Sequence, residues 1–366
     1  MKPIINLVLL GKGNVGQSWL DLFTEQQARY AGFADVRLVA VANSARWLVN
    51  KLGLSIKCVN EFHQSSVGGN LSQLIESISS WKINNLVILD ITASQEVTDR
   101  YSEFAELGWN IISANKRPMT LSVERYKFLV GKLNSKNCFW GINATVGAAL
   151  PVQASIQELL HAGDKLLSVS GVFSGSLSYL LTKYDGKQSF TELVRQACEA
   201  GITEPDPRDD LSGTDVQRKL LILSRISGHI INLADIEVSS LLPEEFLQGD
   251  LNDFWARKVE IDVFMQNAFD KALLQNEKLV YLAQAKFLGK VVQGKVGLQS
   301  LSNKNAMSQL SPLDNVFSLT TEFYNHNPLI IRGPGAGAEI TATAVNIDLN
   351  KFVIQIAASA EINQLI

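Results

Sequence analysis

Ile5-Asn6-Leu7-Val8-Leu9-Leu10-Gly11-Lys12-Gly13-Asn14-Val15-Gly16 is an apolar run, nearly unbroken, that ends in three spaced glycines. Such a run reads as a strand buried on both faces of a parallel sheet. The glycines match GxGxxG, where the first makes a tight turn, the second lets backbone approach a pyrophosphate, and the third lets helix pack on strand. Val15, Trp19, Leu20, Leu22 and Phe23 then recur at helical spacing, so the turn opens a helix whose free N–H groups suit phosphates. The order strand, glycine turn, helix predicts a dinucleotide site on Gly11, Gly13, Asn14, Val15 and Gly16. A purely structural turn is the alternative.

Further apolar runs at Val36 to Ala42, Leu86 to Ile91 and Asn110 to Ser113 alternate with helical stretches, notably Leu71 to Ser80 and Val97 to Leu107. That alternation predicts an α/β fold with a Rossmann-type, doubly wound parallel sheet over residues 1–142. From residue 143 to 334 the texture changes to α+β with a mixed or antiparallel sheet. A helix begins at Pro151 and a strand runs from Leu166 to Phe173. A helix from Ser189 to Ala200 closes at Gly201, and a long helix starts near Ser212. A strand pair over Leu279 to Leu301 turns at Gly289, and Val316 to Phe323 pairs with Leu329 to Arg332. A last helix, within about 335–366, carries Ile340, Ala344, Ile347 and Phe352 near one stripe and is expected to pack back on the first domain.

Composition excludes some partners. Of the residues 46% are hydrophobic and 19% charged, net charge is −3, and no basic run marks a nucleic-acid or anionic-lipid surface. No apolar run approaches the ~20 residues of a membrane helix. Cys58, Cys138 and Cys198 are odd in number, lack CxxC spacing and read as buried free thiols. With no signal-peptide pattern at the N-terminus, a reducing, cytoplasmic setting is expected.

Three places carry chemistry. The second strand ends Ala42-Asn43-Ser44-Ala45-Arg46, without the carboxylate that accepts a ribose 2′-OH in NAD sites. Uncharged Asn43 and nearby Arg46 therefore favour NADP over NAD, while Arg46 as an ordinary surface cation is the competing reading. Lys116, after Ser113-Ala114-Asn115, lies at the carboxyl end of a parallel strand, where such folds bind ligands. Glu204-Pro205-Asp206-Pro207-Arg208-Asp209-Asp210 holds four carboxylates in seven residues. Its prolines are expected to keep it extended, aiming carboxylates at a cationic or hydroxylated small molecule; a solvated acidic loop is the alternative. Ser212 and Asp215 then resemble a capping box. Asp215 and Lys219 share a helix face at i, i+4, and that spacing fits a surface ion pair better than a desolvated lysine exchanging protons with a substrate hydroxyl.

These segments together resemble homoserine dehydrogenase, specifically the dehydrogenase half of the bifunctional aspartokinase–homoserine dehydrogenases. The resemblance rests on Leu9 to Gly16, Thr92 to Gln95, Ser113 to Lys116, Asn143 to Pro151, Phe173 to Ser178, Thr203 to Lys219 and Arg332 to Gly337, in family order across almost the whole chain. It implies reversible NAD(P)-linked interconversion of L-homoserine and L-aspartate 4-semialdehyde, in threonine and methionine biosynthesis, by a homodimer. Lys219 would carry the proton at the substrate oxygen, with Asp215 beside it. Glu204 and Asp210 would hold the substrate, and Lys116 would touch cofactor and substrate. Thr92, Ala93, Ser94 and Gly335 would line the nicotinamide side. A sodium ion would sit on the carbonyl oxygens of Asn143, Val146, Ala148 and Leu150. Asn143 stands where some relatives have Glu. Ala149 replaces a more usual Gly and would be strained if its backbone needed a positive φ. The 366 residues include neither a kinase half nor the regulatory extension of many relatives, which fits an excised domain or a short form. A related enzyme acting on another amino-acid aldehyde, and a non-catalytic dinucleotide-binding module, are the rival readings.

Overall fold

The computed structural model describes residues 2–365. Met1, at the start of the first expected domain, and Ile366, at the end of the expected last helix, lie outside them. One compact unit runs up to Ala149 and takes in the chain from Gly337 onward; the other spans Leu150–Ala336.

In the first unit, β1 (Ile4–Leu10), β2 (Asp35–Ala42), β3 (Arg46–Val49), β4 (Val67–Gly68), β5 (Leu86–Asp90), β6 (Asn110–Ser113) and β7 (Trp140–Gly141) form one sheet in the order β4-β3-β2-β1-β5-β6-β7. From β2 to β7 the pairs are parallel, and the central apolar runs are buried as their composition requires. The short β3 and β4 extend the sheet antiparallel, an edge no continuous apolar run announces because Arg46–Val49 is only half-buried. Helices cover both faces. Trp19, Leu20 and Phe23 of the helix Asn14–Tyr30 pack on one side together with Val345, Leu349 and Phe352 of the last helix. On the other, Leu74, Ile75, Ile78, Tyr101 and Phe104 pack beneath the sheet. The expected helix Val97 to Leu107 is two short helices, Gln95–Asp99 and Tyr101–Glu106.

The last helix, Ala338–Leu365, buries Ala342, Val345, Leu349, Phe352 and Val353. Ile347, assigned to the buried stripe from sequence, is 37% exposed, because the face is set by the 345–349–352 register rather than by every apolar residue.

In the second unit, β8 (Leu166–Val172), β9 (Ile236–Val238), β10 (Glu277–Leu288), β11 (Val291–Ser302), β12 (Asp314–Thr321) and β13 (Leu329–Pro334) form a sheet in the order β13-β12-β8-β10-β11-β9. All pairs are antiparallel except β9 with β11. Pro151 stands at the N-cap of the helix Val152–His161 rather than in its first turn. The three cysteines are free but half-buried, not buried.

Candidate active site

At the carboxyl edge of the first unit's sheet the glycine turn has the geometry its spacing implies. Gly11 has φ +101°, and a Cβ there would meet the Ile91 carbonyl oxygen at 2.4 Å; a Cβ on Gly16 would meet the Gly11 carbonyl oxygen at 2.0 Å. A Cβ on Gly13 would meet nothing within 4 Å, and Gly13 is the N-cap of the helix Asn14–Tyr30 with no side chain capping it. An uncapped helix N-terminus with open space beside it fits a phosphate group, so the residues present suit a dinucleotide. Lys12, within the turn, donates to Gln17 at 3.1 Å.

Asn43 and Arg46 close the β2–β3 turn. The Asn43 carboxamide oxygen accepts from the backbone N–H of Ala45 and Arg46 at 3.0 and 2.8 Å. The Arg46 guanidinium donates to the Ser66 hydroxyl at 2.9 Å and to the Ser66 carbonyl at 2.6 Å. Arg46 is thus anchored beside the turn that ends β2.

Asp90, the last residue of β5, was not singled out from the sequence. It is fully buried and accepts from Thr92 Oγ1 at 2.6 Å, Thr92 N–H at 3.0 Å, Tyr101 Oη at 2.9 Å and Asn115 Nδ2 at 3.0 Å. Burial nonetheless holds its pKa above the usual 3.8. Its carboxylate ties the loop after β5 to the loop after β6. Thr92 Oγ1 in turn accepts from Ser94 N–H at 3.1 Å, and the Ser94 hydroxyl caps the helix Gln95–Asp99. The Ala93 carbonyl accepts from Arg117 at 2.7 Å. Half-buried Lys116 lies between Asn115 and Arg117, whose N–H donates to Asn115 Oδ1 at 3.0 Å. The visible signal was a single carboxylate closing an otherwise apolar strand.

Asn143 opens a short 3-10 turn, Asn143–Thr145, and its N–H donates to Asp348 Oδ2 of the last helix at 2.9 Å; its side-chain amide also donates to Asp348. Burial raises the Asp348 pKa. Gly147 and Ala148 take positive φ, 76° and 50°. Ala149 does not, so the strain anticipated there falls on Ala148 instead.

In the second unit the acidic run is not extended throughout. Asp206 caps a short helix, Pro207–Leu211, with Pro207 at its first turn. Proline has no N–H to lose there and its fixed φ suits the position, so the second proline starts a helix rather than forbidding one. The carboxylates are also not equivalent. Asp206 is clipped to Arg208 Nε at 2.9 Å, and this partner lowers its pKa. Asp210 is half-buried and accepts from Ser176 Oγ at 2.7 Å and from Glu204 N–H at 2.8 Å; burial raises its pKa. The Glu204 side chain is exposed.

The Ser212–Asp215 capping box does not form. Gly213, with φ +73°, is the N-cap of the helix Thr214–Ile226, and Ser212 Oγ instead donates to the Asp209 carbonyl at 2.8 Å. Within that helix Lys219 Nζ pairs with Asp215 Oδ2 at 2.9 Å. The pair is not a surface one on the lysine side, because Lys219 is 8% exposed and also donates to the Phe173 carbonyl at 2.8 Å. The contact with Phe173, the residue after β8, joins residues too far apart in the chain for helical spacing to reveal. A buried ammonium held by one carboxylate and one carbonyl is placed to exchange a proton with a third oxygen. Gly335 is buried too, and a Cβ there would stand 2.1 Å from Asn315 Nδ2. Leu150, at the start of this unit, accepts through its carbonyl from Val152 N–H at 2.8 Å.

Both domains resemble those of known proteins. Residues 11–142 match "Homoserine dehydrogenase, NAD binding domain" and residues 151–349 match "Homoserine dehydrogenase". The bifunctional aspartokinase/homoserine dehydrogenase 2 of Escherichia coli K12 is 39% identical over 95% of this chain and 43% of its own length, so the chain spans less than half of that relative. Among solved structures, a Candida auris protein of unknown function superposes with TM-score 0.85 at 29% identity, covering 96% of this chain and 99% of that one. A hyperthermophilic archaeal homoserine dehydrogenase in complex with NADPH shares the fold with TM-score 0.72 at 19% identity, covering 96% and 98%. Among the described residues no helix is long and apolar enough to cross a membrane. With an NAD-binding domain at its head and the family's second domain after it, the chain belongs to the homoserine dehydrogenase family.

Proposed function

We propose that this chain interconverts L-homoserine and L-aspartate 4-semialdehyde, the first domain (1–142, with the last helix) holding the dinucleotide and the second (143–334) the amino acid. The observation that carries the reading is Lys219, a buried lysine with its ammonium held between Asp215 and the Phe173 carbonyl. On oxidation Lys219, as the neutral amine, takes the proton from the substrate hydroxyl and becomes the ammonium; on reduction it gives that proton back, and Asp215 supports the ammonium charge. Asp210 and Glu204 bind the substrate's ammonium group, and Ser176 orients Asp210. Within the first domain Lys116, Thr92, Ala93 and Ser94 are assigned to the cofactor, and Lys116 to the substrate as well; within the second, Gly335 is assigned to the nicotinamide. A nicotinamide dinucleotide, when bound, would supply the hydride acceptor for oxidation and the hydride donor for reduction.

NADP is the preferred cofactor in this reading. No carboxylate stands at Asn43, and Arg46 is anchored beside it with a guanidinium suited to a 2′-phosphate. A sodium ion on the carbonyl oxygens of Asn143, Val146, Ala148 and Leu150 belongs to the same proposal; neutral oxygen donors suit a hard cation. So does a homodimer, supported by exposed Val259, Val263, Leu273 and Leu274 along the helix Lys258–Leu274. Free, half-buried thiols suit a cytoplasmic setting.

Initial rates of nicotinamide reduction with L-homoserine and a panel of other amino alcohols, each with NADP and NAD, test the reading. It expects turnover of L-homoserine above the rest of the panel and higher kcat/KM with NADP. Cofactor binding without homoserine turnover would leave a non-catalytic module; preference for another amino alcohol would leave a different dehydrogenase.

A further inference from the structure

We infer that Asn315 is a positioning residue for Lys219, acting through the Phe173 carbonyl that the two side chains share. The inference rests on Lys219 as the proton carrier. Asn315, in β12, is fully buried and donates from Nδ2 to the Phe173 carbonyl at 3.1 Å, while Lys219 Nζ donates to the same oxygen at 2.8 Å. A carbonyl offers two lone pairs, so both bonds form at once. The carboxamide cannot be turned round, because its oxygen would then face the Phe173 oxygen. That orientation has a cost. Among the described residues no donor reaches Asn315 Oδ1, which is buried, and an apolar side chain would avoid the loss.

Two neighbours preserve the arrangement. The Phe173 ring stacks on Phe317 at 4.5 Å, fixing the residue after β8 that bears the carbonyl. Gly335 has no Cβ where one would strike Nδ2 at 2.1 Å. Asn315 occupies one lone pair and holds the peptide, which leaves Lys219 a single direction of approach on the side of Asp215. Without that bond the peptide and the ammonium are free to reorient, and proton exchange loses alignment while the sites for substrate and cofactor persist.

The test uses the full chain with Asn315→Asp, which keeps the shape but replaces the donor with an acceptor. Asn315→Ser is the second variant should the buried charge prevent folding. Each is measured alone and combined with Lys219→Ala. We expect kcat for homoserine oxidation to fall about 10- to 100-fold, with KM values for homoserine and NADP within about threefold of the parent. No further loss is expected when either change is added to Lys219→Ala. Unchanged kcat, a rise in KM alone, or a full additional loss in the Lys219→Ala background would overturn the inference. A second readout needs no turnover: in substrate-free protein labelled with 13C at lysine Cε, the signal absent from Lys219→Ala should move in both Asn315 variants. An unmoved signal overturns the positioning role even in a protein that turns over no homoserine. A moved signal in such a protein sustains the contact while refuting the proposed activity.

Discussion

At Asp210 two effects oppose each other: burial raises the carboxyl's pKa, while hydrogen bonds from Ser176 and the Glu204 N–H favour its charged form. Burial wins, so the site gives up its proton less readily than an exposed aspartate. Only the ionised form attracts a substrate ammonium. KM for homoserine should therefore rise as pH falls through the Asp210 pKa, above the ordinary 3.8; Asp210→Asn should give a higher KM with that pH dependence gone. A pH-KM profile unchanged by the substitution would remove Asp210 from the substrate site. Arg46 allows a selective test. Losing a charge-assisted contact of about 1.5–3 kcal/mol should weaken NADP about tenfold or more in Arg46→Ala and leave NAD unchanged, as read by calorimetric titration. Equal weakening of both cofactors would show Arg46 to be structural. At this scale the sequence exposed whatever was local. The glycine spacing and the i, i+4 pair Asp215–Lys219 could be read along the chain, whereas the burial of Lys219 depends on Phe173 in another element. Asp90 was overlooked for a related reason: its partners Tyr101 and Asn115 follow a helix and a strand away.

The elements show how capping chemistry moves boundaries. A proline that reads as a helix breaker starts the helix Pro207–Leu211, because the first turn needs no N–H from it. Serine at 212 reads as a cap, yet Gly213 takes that position in a left-handed conformation against Tyr281, whose Oη a Cβ would meet at 1.8 Å. Gly213→Ala should consequently cost more than the roughly 1–3 kcal/mol of backbone strain alone and lower the melting temperature. Since Lys219 lies on the helix that Gly213 begins, kcat should fall with it. A melting temperature equal to the parent's would contradict this account of the helix start. Strands were legible where apolar runs were continuous, as in β1, β2, β5 and β6. They were illegible where strands are short and half-buried, as in β3, or only two residues long, as in β4 and β7.

For the whole molecule, alternation of strand and helix pointed to the parallel sheet, and the change of texture near Pro151 to a second, mixed sheet. Residues from the two ends of the chain share one core: Phe352 packs with Trp19 and Phe23, with Phe139 5.4 Å away ring to ring. Phe352→Ala should cost about 3–5 kcal/mol, read as a lower denaturation midpoint, whereas a loss near zero would mean the last helix contributes little to that core. The exposed apolar residues along Lys258–Leu274 lead to an expected mass in solution of twice the chain, measured by light scattering; a monomer would refute the homodimer. Lys219 is proposed to move the proton in homoserine oxidation. The most direct test is kcat for L-homoserine oxidation by Lys219→Ala, measured with NADP affinity on the same preparation. A fall of about 10²- to 10⁴-fold with NADP binding unchanged is expected; turnover near that of the parent would rule out Lys219 as the proton carrier.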